Sequence, residues 1–268
     1  MTRLTDDDAS HSSPTTAAGG AEITIDVPSD LLAGHPAAAY FWGHVAGSGE
    51  VTDGEIIVTT TDEDAAAVLA TIASVDPQRI EADTTTRQYA HDTSITRTED
   101  EYVVSITGDE LFGRSDTLGL PVDGRGNYRF RALSTYDREL LRGLLEGCGT
   151  ICFKSSSGTV GISFVHDDEA LLSSIRDLIA ACPIDAPMGD LSETSSGGYW
   201  FGVEDGVVPA FGTWIYEGCD EDEIGLFAPT RRRKLVRSLE QADAYSTSDA
   251  NDLDGDPNVD QDQTERTR

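Results

Sequence analysis

Between residues 22 and 242 the apolar positions recur at two different spacings, and each switch between them marks an element. Glu55-Ile-Ile-Val-Thr-Thr-Thr61 and Thr159-Val-Gly-Ile-Ser-Phe-Val165 read as strands. A helix signal follows each. Asp62 opens a helix with Ala65, Val68, Leu69 and Ile72 on one face. Asp167 opens another with Leu171, Leu172, Ile175, Leu178 and Ile179 inward, ended before Pro183. Two further strands are predicted in each half, near 85–97 and 101–107 in the first and near 188–194 and 198–204 in the second. Ahead of each block stands a glycine-spaced segment: Gly43, Gly47 and Gly49 recur as Gly143, Gly147 and Gly149, and Val45 and Val51 as Leu145 and Ile151. The prediction is therefore an α+β fold made of two tandem αββαββα repeats, each an antiparallel sheet with helices on one face. The first repeat spans 22–116 and the second 136–242. Between them lies a linker, 117–135, around the turn cluster Asp123-Gly-Arg-Gly-Asn127. Residues 1–21 and 243–268 are polar, acidic and without apolar period, and are expected to be disordered.

The glycines carry a physical argument of their own. Two glycines four apart lie on one helix face and let two helix backbones approach more closely than side chains allow. Gly43 with Gly47, and Gly143 with Gly147, would form such a seam on a pseudo-twofold axis. Gly49 and Gly149 suit a helix end that turns sharply into a strand.

Tyr40-Phe-Trp-Gly-His-Val-Ala-Gly-Ser-Gly-Glu-Val51 and Leu140-Leu-Arg-Gly-Leu-Leu-Glu-Gly-Cys-Gly-Thr-Ile151 resemble the LAGLIDADG motif of homing endonucleases. The end of the second half, Trp214 to Gly218 followed by Leu226 and Arg231-Arg-Arg-Lys-Leu235, resembles that family's closing segment. The likeness covers about residues 37–240. It implies a single-chain monomer whose two antiparallel sheets form a saddle. It also implies an acid before the last glycine of each motif, where paired carboxylates hold divalent metals that activate water. Ser48 and Cys148 stand at those positions. A hydroxyl is a poor ligand for a hard cation, and a protonated thiol is a worse one. The expectation is a catalytically inactive relative with no metal and no cofactor. Glu50, two residues on, and Glu146, two residues back, are the acids from which a displaced site could be built; the family's earlier motif acid, at the place of Glu146, is structural.

The resemblance further implies double-stranded DNA as partner, read by the open sheet face. Candidate contacts are Arg87, Gln88, Arg97 and Lys154 on strands, with Arg125, Arg129 and Arg131 in the linker. Against this, Asp190-Leu-Ser-Glu193 and Gly198-Tyr-Trp-Phe-Gly202 carry no cation and several aromatics. A saddle recruited for a small ligand or a protein partner is the alternative, and an endonuclease with displaced acids the third. The basic run Arg231–Lys234 with Arg237 is the densest cation cluster and has two readings: a phosphate clamp, or, favoured, a C-terminal helix that packs Leu235, Val236 and Leu239 inward and turns its arginines toward Asp220–Glu223. His44, inside the first motif, reads as a packed histidine.

Charge qualifies the DNA reading. The formal net charge is -30, from 49 acids against 19 bases, and only Lys154 and Lys234 are lysines. The two tails account for eight of these negative charges, so the folded surface itself is acidic. Multimolar salt screens such a field to a few ångströms, and few lysines with abundant Asp, Glu and Thr point to a halophile's cytoplasm. No signal peptide and no membrane-spanning stretch is expected. Cys148, Cys152, Cys182 and Cys219 lack a second close Cys or His pair and read as reduced, packed thiols. No phosphate-binding glycine loop and no Ser-His-Asp arrangement is visible.

Overall fold

In the computed structural model the described residues are 25–52, 54–76, 80–89, 92–107, 117–121, 126–220 and 223–253. The first half runs α1 (Pro36–Ser48), β1 (Gly49–Thr52), β2 (Glu55–Thr60), α2 (Glu63–Ile72), β3 (Ile80–Tyr89) and β4 (Asp92–Thr107). A 3-10 turn, Phe130–Tyr136, leads into the second half. There follow α3 (Asp137–Cys148), β5 (Gly149–Lys154), β6 (Thr159–His166), α4 (Glu169–Ala181), β7 (Ser192–Glu193), β8 (Tyr199–Val203), α5 (Val208–Ile215) and α6 (Pro229–Leu253). The two sheets have one plan, β1-β2-β4-β3 and β5-β6-β8-β7, antiparallel throughout. This is the α+β saddle of two tandem repeats.

Alternation assigns each sheet its two faces. Ile56, Val58, Val104 and Ile106 are buried under the helices in the first sheet. In the second sheet Ile151, Val160, Ile162, Phe164, Phe201 and Val203 do the same, with the Phe164 and Phe201 rings stacked at 5.3 Å. All these side chains join one continuous core with α1 and α3 between the sheets. No helix among the described residues is long and apolar enough to cross a membrane.

Four boundaries differ from the sequence reading. The strand pair of the first half is 80–89 and 92–107, not 85–97 and 101–107. The charged pair Asp100–Glu101 continues β4, with Glu101 on the open face opposite Asp83 and Asp100 in the groove beside α2, so charge there marks no turn. The N-cap of α4 is Asp168, not Asp167; its carboxylate accepts from Ala170 N–H at 2.9 Å. Helix α6 passes residue 242 and continues to Leu253, where a tail was expected from 243. Docking explains this: the Tyr245 ring packs 6.4 Å from Phe153 and lies over Gly158. The closing helix expected at the end of the first repeat falls mostly on 108–116, outside the described residues, as do 1–21 and Arg125.

Candidate functional site: the helix seam and the open sheet faces

α1 and α3 cross at the four glycines. A methyl group on Gly43 would run into the carbonyl of Leu140, and one on Gly143 into that of Tyr40. Nearer the helix ends, a methyl on Gly47 would stand 3.2 Å from Gly147 Cα and one on Gly147 3.1 Å from Gly47 Cα. The upper pair is backbone against backbone with no slack; the lower pair has a little. Gly49 and Gly149 end the helices in extended backbone, with φ -94° in both. Their need for glycine is therefore contact, not a left-handed turn: a methyl on Gly49 would sit 2.9 Å from Val45 Cα.

Ser48 and Cys148 lie side by side at the foot of this seam, where Gly47 meets the Cys148 amide. Both turn back on their own helices. Ser48 Oγ donates to the His44 carbonyl at 3.2 Å and Cys148 Sγ to the Leu144 carbonyl at 3.3 Å. Burial pushes the Cys148 thiol up to about 12, so it stays neutral. These two residues do not fit a divalent metal. Both oxygens of Glu146 are engaged within the protein. Oε2 accepts from the Tyr40 hydroxyl at 2.7 Å and faces His44 Nε2 at 3.3 Å, while Oε1 accepts from Ala228 N–H at 2.9 Å. His44 thus turns Nε2 to the carboxylate, while its Nδ1 is buried without a partner. Glu50 is exposed on the open face of β1. Among the described residues no group of three His, Cys, Asp or Glu side chains could hold a metal.

Arg142 and Glu146 stand one turn apart on α3, and both are buried. Arg142 Nε donates to Ile215 O at 2.8 Å and its terminal nitrogen to Leu226 O at 2.9 Å, fixing the chain between α5 and α6. Nearby, burial first and the negative charge of Glu146 second push the Tyr40 and Tyr216 hydroxyls well above the ordinary tyrosine range. Glu146 thus joins α1, α3 and the segment that enters α6. Sequence reasoning placed this carboxylate as structural but had no signal for Tyr40 or Ala228 as its partners.

A second pair of tethers is reciprocal. Asp62 caps α2 through Oδ1, to Ala65 N–H, and with Oδ2 accepts Thr230 N–H from α6 at 2.8 Å. Asp168 caps α4 and with Oδ2 accepts Gly126 N–H at 2.8 Å and the Tyr128 hydroxyl at 2.9 Å, both from the linker. Each half's trailing segment is therefore fastened by the other half's helix-capping aspartate.

The open faces differ in charge. On the first sheet the described open-face side chains include Glu50, Glu55, Glu81, Asp83 and Glu101, with Asp83 directly opposite Glu101. Arg87 and Arg97 are cross-strand partners and Gln88 lies beside Arg87, but their side chains fall outside the described residues. On the second sheet Lys154 is engaged: its Nζ lies 2.6 Å from Asp205 Oδ1, and Thr159 donates to Oδ2. Partial burial acts upward on the Asp205 carboxyl, but the Lys154 and Thr159 hydrogen bonds outweigh it and hold the group below its ordinary value. Arg129 and Arg131 are exposed on the linker. Arg231, Arg233 and Lys234 line a groove of about 710 Å³ with Thr150 of β5 and with Asp62, Glu63, Asp64 and Asp100. Acids of the first half thus share a groove with the basic turn; of the Asp220–Glu223 run suggested by the sequence, residues 221 and 222 lie outside the described residues.

A model of a LAGLIDADG family described as "Putative archaeal homing endonuclease" matches residues 18–245. Among solved structures, I-DmoI in complex with DNA and Mn is 12% identical at a TM-score of 0.41, over 70% of this chain and 99% of its own. Full-length WhiA from Thermatoga maritima is 10% identical at 0.44, over 84% and 71%. I-WcaI bound to its DNA recognition sequence is 7% identical at 0.48, over 76% and 87%. No curated protein sequence gives a significant match.

Proposed function

Because this chain belongs to the archaeal LAGLIDADG homing endonuclease family, we propose that it is a non-cleaving member that binds nucleic acid in a regulatory role. One observation carries the reading. The two positions that should present metal-holding carboxylates present a hydroxyl and a neutral thiol, each bonded to its own helix. Hard divalent cations need anionic or strongly polar oxygens, so a two-metal hydrolysis has no ligand pair to start from. The seam that sets the saddle's shape is nevertheless intact. Arg129, Arg131 and the Arg231–Lys234 turn supply the phosphate-facing cations in this reading, while Arg87, Gln88 and Arg97 remain the strand candidates for base contacts.

Gel-shift of genomic DNA fragments by the full chain in multimolar KCl, with and without magnesium, is the test. The expected result is retention of a subset of fragments with every strand left intact. Magnesium-dependent nicking or cleavage overturns the loss of catalysis, and absence of any retained fragment overturns nucleic-acid binding.

A second reading is favoured by the acid-lined open face of the first sheet: a saddle recruited for a protein or small ligand. A co-purifying ligand, or a thermal-shift response to a metabolite set without any response to DNA, would select it.

A further inference from the structure

We infer that the open face of the second sheet takes unpaired bases of single-stranded DNA, with Trp200 as the platform on which a base stacks. This rests on the nucleic-acid reading above and names the form of nucleic acid involved.

Trp200 is the exception among the three tryptophans. Trp42 is fully buried and Trp214 is half-buried, against Phe211 and under Arg138, while Trp200 is 42% exposed. Its cross-strand partner is Val165, itself 46% exposed. The two stand together on the open face, because the alternate residues Phe164 and Phe201 are buried on the other. Beside them Ser163 pairs with both Gly202 and Thr150, so a lane of small side chains crosses from β8 to the edge strand β5. A methyl on Gly202 would touch the Trp200 ring at 3.8 Å, which places the indole over the glycine at the rim of that lane. An exposed aromatic ring beside a shallow floor matches one flat, uncharged ring of a ligand.

Access to the base faces decides which form of nucleic acid fits. Binding a duplex runs on phosphate neutralisation, and that term collapses as salt rises. On the strands of this face the cation is Lys154, already paired with Asp205, and Arg231, Arg233 and Lys234 border only the far end of the lane, at Thr150. The chain as a whole carries -30. Stacking tolerates every base, because each has a flat π-face, and contributes about 1–3 kcal/mol per base. In a duplex the base faces are stacked on one another and closed to a side chain on a flat sheet; in a single strand they are open. The partner that fits a neutral aromatic patch on an acidic protein is thus the base, not the phosphate.

The test uses the full chain in multimolar KCl with a mixed-sequence DNA oligonucleotide. It is presented single-stranded, annealed to its complement, and as an abasic strand of equal length. Tryptophan emission and oligonucleotide anisotropy are the readouts. The expected result is quenching and binding by the single strand, weaker binding of the duplex and loss with the abasic strand. Trp200→Ala should weaken the single strand about tenfold, and Trp200→Phe less. Circular dichroism and thermal melts confirm that both variants fold, and Gly202→Val, which fills the lane, should weaken binding with Trp200 intact. Single-strand binding unchanged by Trp200→Ala, abasic binding equal to that of the intact strand, or tighter binding of the matching RNA strand each overturn the assignment. A duplex bound with an affinity indifferent to Trp200 removes this inference and leaves the proposed function standing. If neither strand form is retained, the proposed function itself fails.

Discussion

α1 and α3 occupy equivalent places in the two halves, yet they are built from different chemistry. α1 buries every residue from Ala37 to Gly47, nearly all of them apolar or small. α3 has a clear apolar face but places Arg142 and Glu146 in the interior as well. The equivalent of Arg142 is Trp42, whose Nε1 donates to the Leu31 carbonyl at 2.9 Å. In both halves this position ties the seam helix to a flanking segment, once with one donor and once with two. The equivalent of Glu146 is Ala46, which ties nothing. The fold needs the glycines twice but the polar fastening once, so symmetry is kept in the backbone contact and released in the side chains around it.

The largest expected effect breaks the asymmetric part. Glu146→Ala removes the acceptor of the Tyr40 hydroxyl and Ala228 amide and leaves both donors buried without a partner, and should cost about 3–4 kcal/mol in chemical denaturation at multimolar KCl. Trp42→Phe, on the first-half side, should cost about 2–3 kcal/mol for its lost hydrogen bond and the buried volume it vacates. Next come the reciprocal caps. Asp62→Ala and Asp168→Ala each remove a helix cap and a cross-half acceptor, and should cost about 2–3 kcal/mol apiece. Unequal losses would show that one strap, α6 or the linker, dominates. The seam glycines should then behave as symmetric pairs. Gly43→Ala and Gly143→Ala should each cost about 1–2 kcal/mol, overpacking less the gain in helix propensity. Gly47→Ala and Gly147→Ala should be close to neutral because their neighbours stand farther away.

The smallest effect is a pH dependence confined to the second half. Burial holds His166 below the ordinary histidine value, with nearby Asp168 and Asp167 pulling weakly upward. The unfolded chain therefore binds the proton more readily. The stabilisation from neutral His166 is fully present above about pH 6.5 and declines as pH falls from there toward the lower folded value. A melting series from neutral to mildly acid pH should flatten in His166→Asn, whose side-chain oxygen can still accept the Asp168 N–H that His166 Nδ1 takes at 2.9 Å. An unchanged slope would assign the dependence to other groups.

The sequence made the seam legible because glycine spacing states a steric requirement directly, and it states it twice. It exposed Ser48 and Cys148 for the same reason, since a fixed place in a repeated motif needs no tertiary information. Strand limits in 80–107 were not legible. That run is polar and rich in threonine, and alternation there is written only in which acids lie on the open face. The tethers of Asp62 to Thr230 and of Asp168 to Gly126 join residues far apart in the chain, and a capping aspartate looks the same in sequence whether or not its second oxygen is used. The exposed place of Trp200 follows from knowing that Phe201, its neighbour, is the core residue, a choice between two aromatics that the sequence left open.

The crossed fastening of the halves has a consequence for synthesis. A ribosome that has released only the first repeat has delivered Asp62 without Thr230, and α1 without the helix that fills its glycine groove. Each half alone lacks the partner of its capping aspartate and of its seam helix, so the expected order is that folding completes only after α6 has emerged. Cutting the chain between the repeats should accordingly yield two fragments that gain structure only when mixed.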